Sequence, residues 1–191
     1  MMIFLSADVE TTGLDPENSS IFQIAGIFKR KDMHPKSFNY KFKPYKGALT
    51  VAPQLAKKIK VTSEDLISYP DQRQFFDQFI TDLNVFTDNM TNKIYLVGYN
   101  ASFDLDFIRS WFLYNGNTDF SKYFYFPCID VMYLSAFALI GERQNLFNFQ
   151  LSTVYKYLTG KSLEDAHDAF TDINATVEIL NIVTNKLRGK E

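Results

Sequence analysis

Apolar and polar positions alternate at the start of the chain. In an extended segment from Ile3 to Glu10, odd and even side chains project to opposite faces. The odd positions are all apolar, while the even positions end in two acids, Asp8 and Glu10. Turn residues follow at 11–16, and the alternation returns at Ile21–Lys29 and Phe38–Lys43. Three strands joined by turns predict an antiparallel meander.

The middle and end of the chain change to a helical period. Apolar side chains recur every three or four residues from Phe75 to Phe86, from Phe103 to Phe112 and from Phe170 to Leu187. Strands are predicted at Ile94–Val97 and near Tyr125–Ile129, and helices around Val131–Leu139 and Leu151–Leu158. Strands followed by strand–helix alternation predict one α/β domain over residues 1–191, with a mixed sheet flanked by helices.

Composition narrows the class of protein. The chain has 191 residues, of which 46% are hydrophobic and 16% aromatic, and this excludes a disordered linker. The net charge of −2 does not indicate a nucleic-acid partner, but it does not exclude one. A protein that binds only the end of a nucleic-acid chain needs few basic residues. Cys128 is the single cysteine, so no internal disulfide can form. Without a leader or a membrane-length apolar run, we expect a cytoplasmic protein that does not bind membranes.

Four acids occupy positions where acids are unfavourable. Asp8 and Glu10 share one face of a strand, where like charges repel. Asp104 shares the inward stripe of its helix, and Asp172 lies early in the last helix between two alanines. A buried carboxylate without a partner is costly, so we expect all four to converge on divalent cations. Carboxylate clusters suit Mg²⁺ or Mn²⁺, and two such ions form the clamp used in phosphoryl displacement.

His167 lies five residues before Asp172. On an ideal helix the two would point about 140° apart, which places His167 on the loop before the helix and Asp172 in its first turns. An imidazole beside metal ions fits a general base for an attacking water. Because His34 is the only other histidine, a histidine-rich zinc site is excluded.

Each feature also has a purely structural interpretation. The two acids of the first strand could be a solvated strand end, and His167 a surface residue. Asn100 could cap the following helix and leave Asp104 exposed. The aromatic residues at 120–126 are read as core rather than as a base-stacking platform, and the lysines at 57–60 as a solvated helix face rather than a phosphate rim.

Three motifs in order resemble the DnaQ-like (DEDDh) exonuclease family, which has a ribonuclease-H-like fold. They are Asp8–Leu14 (DVETTGL), Asn100–Asp104 (NASFD) and His167–Asp172 (HDAFTD), and they span most of the chain. Many members carry His where Tyr99 stands, a difference to which no role is assigned. The segment Val51–Leu66 follows the family only loosely.

The resemblance implies a five-stranded mixed sheet whose second strand opposes the others. It implies two divalent cations, Mg²⁺ with Mn²⁺ as a substitute, held by the acids of the three motifs, and a catalytic His167. It further implies that the terminal nucleotide is held near Thr11 and Thr12, with Asn100 and Phe103 as neighbours. The metal ligands implied are Asp8, Glu10, Asp104 and Asp172.

The expected function is therefore metal-dependent 3′–5′ exonuclease activity by a two-metal mechanism, releasing nucleoside 5′-monophosphates. The favoured substrate is single-stranded DNA, or a mismatched end in a proofreading-type activity. An RNA-trimming or oligonucleotide-degrading exoribonuclease is the alternative enzyme, since the reader of a 2′-hydroxyl cannot be identified from sequence. A nuclease-like module that docks a polymerase is the alternative of another class. Expected partners are a nucleic-acid 3′ end and either a polymerase or a second copy of the chain.

Overall fold

One mixed sheet organises the protein. The computed structural model describes residues 2–47, 51–52, 61–164 and 168–189. The strands are β1 (Ile3–Thr11), β2 (Ile21–Arg30), β3 (Lys36–Lys41), β4 (Ile94–Gly98) and β5 (Ile129–Asp130), in the order β3-β2-β1-β4-β5. β2 is antiparallel to β1 and β3, and β4 is parallel to β1 and β5, so β2 opposes the other four. The meander and the five-stranded mixed sheet are confirmed.

Helices cover both faces of the sheet. They are α1 (Ser63–Ser68), α2 (Arg73–Phe86), α3 (Ala101–Tyr114), α4 (Phe120–Tyr123), α5 (Val131–Ala138), α6 (Leu151–Thr159) and α7 (Ala169–Leu187), with a 3₁₀ helix at Ile140–Asn145. The predicted helices at the middle and end of the chain are confirmed within a few residues. The short elements α1, α4 and the 3₁₀ helix were not predicted, because one or two turns do not establish a period. Within the described part of the chain, no helix has the length and apolarity that crossing a membrane requires.

β1 lies at the centre of the sheet and is covered on both faces. Its odd side chains, such as Ile3 and Leu5, pack under α2 and α3 in an aromatic core that includes Phe79 and Trp111. A second core on the other face joins β4 to α5, α6 and α7. Because central strands in such layered folds are buried on both sides, polar residues in β1 need a particular reason.

Two strand predictions were wrong at their ends. The third strand runs from Lys36 to Lys41 rather than from Phe38 to Lys43. The fifth was expected at 125–129, but regular pairing is confined to Ile129–Asp130, with an isolated bridge from Phe124 to Ile94. Pro127 lies between the two pairings, and proline has no backbone N–H to donate to a ladder.

The aromatic segment at 120–126 is divided between core and surface. Phe120, Tyr123 and Phe124 are buried, as the core interpretation predicted. Tyr125 and Phe126 are exposed, the latter with 80% of its surface accessible, so the prediction was wrong for these two. The lysines at 57–60 lie outside the described residues.

Candidate active site

Three of the four predicted acids meet at one end of β1. Asp8, Glu10 and Asp172 each offer a carboxylate oxygen, and these oxygens all lie within 4.8 Å of one another. Glu10 and Asp172 are buried and Asp8 is partly buried. The strand acids Asp8 and Glu10 and the helix acid Asp172, which are far apart in the chain, therefore form one cluster, which no local pattern requires.

The packing of α7 on the sheet brings Asp172 to the strand acids. Asp8 pairs across the ladder with Ala25 of β2, and Ala25 is buried with Ala169 and Ile173 of α7. The small side chains of the two alanines let the first turn of α7 approach the sheet closely. Asp172, between Ala169 and Ile173 in the first turn, is thereby placed beside the acids of β1.

Asp104 of α3 lies next to this cluster, hydrogen-bonded to β1 between Asp8 and Glu10. Its side chain is 3% exposed, so the interpretation that left it on the surface is wrong. The pairing of β1 with β4 ends at Ser6, and beyond it the Val9 N–H donates instead to Asp104 Oδ1 at 3.0 Å. Asp104 is the neighbouring charge that most raises the pKa of Asp8, after the effect of burial.

Burial and mutual repulsion shift the acids strongly. The pKa of Glu10 is raised to about 8, first by burial and then by Asp172 and Asp104, while Lys41 lowers it. Burial likewise raises the pKa of Asp104 to about 8, although the bond from Val9 lowers it. The pKa of Asp8 is raised well above its usual value by burial and then by Asp104 and Glu10. Such a set of hard oxygen donors fits divalent cations, because a cation offsets the repulsion that otherwise favours protonation.

The predicted substrate contacts lie around this cluster. The side chains of Thr11 and Thr12 are buried, and both hydroxyls shape the turn after β1: Thr11 donates to the Gly13 carbonyl, and Thr12 accepts from the Ser20 N–H. Asn100 is exposed and Phe103 partly buried at the start of α3, one turn or less from Asp104. Their roles in substrate binding stay predictions.

His167 lies outside the described residues. Its successor Asp168 caps α7, accepting a hydrogen bond from the Thr171 N–H at 3.2 Å. The other oxygen of Asp168 accepts from Gln23 of β2, which is buried and lies opposite Glu10 in the ladder. The chain immediately after His167 is therefore tied both to its own helix and to the sheet beside Glu10.

Sequence reasoning missed three polar residues around the site. Gln23 bonds to Asp168, and the Tyr99 hydroxyl donates to the Phe149 carbonyl at 2.8 Å, joining the turn after β4 to the segment before α6. Asp130 accepts from the backbone at the start of α3. An acid directly before a helix is a capping signal, which could have identified Asp130 as the cap of α5 but not its contact with α3.

One cavity lies away from these acids. A space of about 540 Å³ lies along α6 and is lined by residues that include Phe147 and Lys156. None of the acids discussed above is among the described residues that line it. The acidic cluster remains the candidate site, because it concentrates the groups with strongly shifted pKa values.

Comparison with known proteins gives a family and a relative. The RNase_T model, which describes exonucleases, matches residues 5–180. A PolC-type DNA polymerase III of Clostridium perfringens is 26% identical over 181 residues, which are 95% of this chain and 11% of the polymerase.

Solved structures of E. coli exonuclease I share the fold. Its complex with a dT13 oligonucleotide has a TM-score of 0.76 at 20% identity, over 98% of this chain and 42% of that one. A zinc-bound complex with single-stranded DNA has a TM-score of 0.78 at 22% identity, over 98% and 41%. A complex with SSB-Ct has a TM-score of 0.74 at 19% identity, over 100% and 42%. The chain thus spans about two fifths of exonuclease I and about a tenth of the polymerase.

Proposed function

Because the chain belongs to the exonuclease family that the RNase_T model describes, we propose that it hydrolyses nucleic acids one nucleotide at a time from the 3′ end. The family confirms the DnaQ-like resemblance carried by the three motifs. Its members generally use divalent metals, and the acidic cluster fits such ions. The 3′–5′ direction, the DEDDh assignment and the number of metal ions are parts of the proposal.

The convergence of acids on one end of β1 carries this proposal. Asp8, Glu10 and Asp172 would hold the cations together with Asp104, whose charge acts strongly on Asp8. When bound there, a pair of Mg²⁺ ions would supply activation of a water and neutralisation of charge on the departing 3′ oxygen. Mn²⁺ is expected to substitute, since it accepts the same oxygen ligands.

The side chains of the protein perform the remaining tasks. His167 takes a proton from the attacking water, and the water oxygen bonds to the terminal phosphorus as the bond from that phosphorus to the 3′ oxygen of the penultimate nucleotide breaks in line. The departing 3′ oxygen takes a proton from solvent. The products are a nucleoside 5′-monophosphate and a chain shortened by one nucleotide. Thr11 and Thr12 hold the turn against which the terminal nucleotide lies, and Asn100 and Phe103 border it from α3.

Single-stranded DNA is the favoured substrate within this proposal. E. coli exonuclease I, which shares the fold, has been solved with a dT13 oligonucleotide, and the polymerase relative suggests action at a primer end. RNA trimming or oligonucleotide clearance stays the alternative, because no described residue identifies a 2′-hydroxyl reader. The match over residues 5–180 supports treating 1–191 as one exonuclease domain.

The acids also distinguish between an enzyme and a module that only docks a polymerase. A module that only binds a polymerase has no need for three neighbouring carboxylates, those of Asp8, Glu10 and Asp104, whose burial raises their pKa values, so their presence favours an enzyme. A polymerase or a second copy of the chain remains the expected protein partner.

Digestion of 5′-labelled substrates tests the proposal. Single-stranded DNA, single-stranded RNA, a mismatched duplex and a dinucleotide would each be incubated with Mg²⁺ or with EDTA. We expect a descending ladder on single-stranded DNA, abolished by EDTA and by Asp8→Asn but retained in Asp106→Asn, which changes an exposed acid of α3. Cleavage in EDTA, or cutting of a closed circle as fast as a linear strand, would refute the proposal. Faster digestion of RNA than of DNA would show that RNA, rather than single-stranded DNA, is the preferred substrate.

A further inference from the structure

The helix that carries Asp104 has no cap of its own. Asn100 occupies the position before α3, where a polar side chain usually accepts a bond from the first turn, but its side chain makes no such bond. Its backbone is in the left-handed region, with φ of 65°, which Asn tolerates better than most residues. The first N–H groups of α3 therefore need an acceptor from another part of the chain.

Asp130 supplies that acceptor from the neighbouring strand. β5 pairs with β4 so that Asp130 lies beside Gly98, two residues before Asn100. Asp130 Oδ2 accepts from the Ala101 N–H at 3.1 Å, and Oδ1 accepts from the Asn100 N–H at 3.2 Å. Oδ1 also accepts from the Met132 N–H at 2.9 Å, so one carboxylate caps both α3 and α5.

The turn between β4 and α3 has little room to adjust without this anchor. A Cβ added at Gly98 would lie 3.1 Å from the Ala101 Cβ and 3.3 Å from the Ala7 carbonyl oxygen. One turn further into α3, Asp104 reaches the Val9 N–H of β1. The first turn of α3 is thus fixed at one end by Asp130 and at the other by β1.

We propose that Asp130 is a positioning residue for the acidic site: it holds the first turn of α3 so that Asp104 faces Asp8 and Glu10. This inference rests on the proposed function, in which Asp104 is a metal ligand. Partners that orient metal-binding side chains typically change metal affinity by about 10–100-fold when they are removed. Asp130 itself remains engaged by three backbone N–H groups and is not one of the ligands.

The test compares Asp130→Ala with Thr62→Ala. Thr62 caps α1 through a complete capping box, and α1 contributes no acid to the cluster, so this control removes a helix cap elsewhere. Mn²⁺ binding is measured by calorimetry, and hydrogen exchange is followed in a peptide covering residues 98–105. In Asp130→Ala we expect the Kd for Mn²⁺ to rise about 10–100-fold and the peptide to exchange faster. Thr62→Ala should leave both unchanged.

A second variant guards against a folding defect. Asp130→Asn keeps one oxygen acceptor, so its Kd for Mn²⁺ should lie between those of the parent and of Asp130→Ala. If the Ala variant does not fold, the Asn variant is compared with the parent instead. Excess Mn²⁺ should restore most activity to either Asp130 variant, because the ligands are all present. Parent-like Mn²⁺ affinity in the folded variants, or equal weakening in Thr62→Ala, would overturn the positioning role. A parent protein that binds no Mn²⁺ would instead refute the proposed function.

Discussion

Replacing Asp104 with Asn isolates the electrostatic effect of the acid that lies next to the cluster. The amide keeps an oxygen that can accept from the Val9 N–H, a bond of 3.0 Å in the parent, and preserves the shape of the buried side chain. It removes only the capacity to ionise. If Asp104 is a metal ligand, this substitution should leave the metal-free fold intact while activity falls steeply.

The shift of its pKa sets the size of the effect. Burial raises the pKa of Asp104 from 3.8 to about 8, so at pH 7 the folded protein holds a proton there that the unfolded chain has lost. Because the folded state binds more protons between about pH 4 and pH 8, the stability of the parent falls as the pH rises through this window. Each pH unit in this window lowers the free energy of unfolding of the parent by about 1.4 kcal/mol. The loss of stability at pH 7 is therefore at most roughly 4 kcal/mol.

The variant should therefore be at least as stable as the parent in EDTA at pH 7. For a chain of this size each kcal/mol corresponds to about 2–4 °C in the melting temperature. The difference between Asp104→Asn and the parent should shrink as the pH falls and vanish near pH 4. Denaturant unfolding at pH 4.5, 7 and 8.5 measures it, with Asp106→Asn, two residues along the same helix and exposed, as the matched control.

Added Mn²⁺ should then stabilise the parent more than the variant, since binding to the native state stabilises it by mass action. A constant loss of stability at every pH, with near-normal turnover, would show that Asp104 only supports the fold. A stability gain equal to that of Asp106→Asn would mean that the burial of Asp104 carries no electrostatic cost.

Three further outcomes are expected. His167→Ala should reduce turnover about 10²–10⁴-fold while calorimetry finds Mn²⁺ affinity largely unchanged; lost affinity with a normal rate at saturating metal would contradict its role as a base. Metal affinity should rise from pH 6 to pH 8.5, because Glu10 and Asp104, each with a pKa of about 8, must release protons to bind a cation. Calorimetry in two buffers of different ionisation enthalpy counts those protons, and an affinity independent of pH would contradict the assignment. Tyr99→Phe removes the hydrogen bond to the Phe149 carbonyl and should cost about 1 kcal/mol in thermal unfolding, with little change in turnover.

The sequence alone determined the longer elements and the faces on which the acids of β1 and α3 lie. Alternation along β1 placed Asp8 and Glu10 on one face, and the apolar stripe of α3 turned Asp104 inward, where the structure finds it. Both inferences work because side-chain direction within a strand or helix depends only on its regular period. The same reasoning was weak at β5, where two paired residues are too few to form a pattern.

Tertiary structure decided the environment of those acids. The Val9 bond joins residues 95 positions apart, and Asp130 reaches the start of α3 from 30 positions away, so no local period contains either contact. The pKa values follow from the same packing. The pKa shift of a carboxylate depends on its burial and on the neighbouring charges, and both are determined by how α3 and α7 pack against β1.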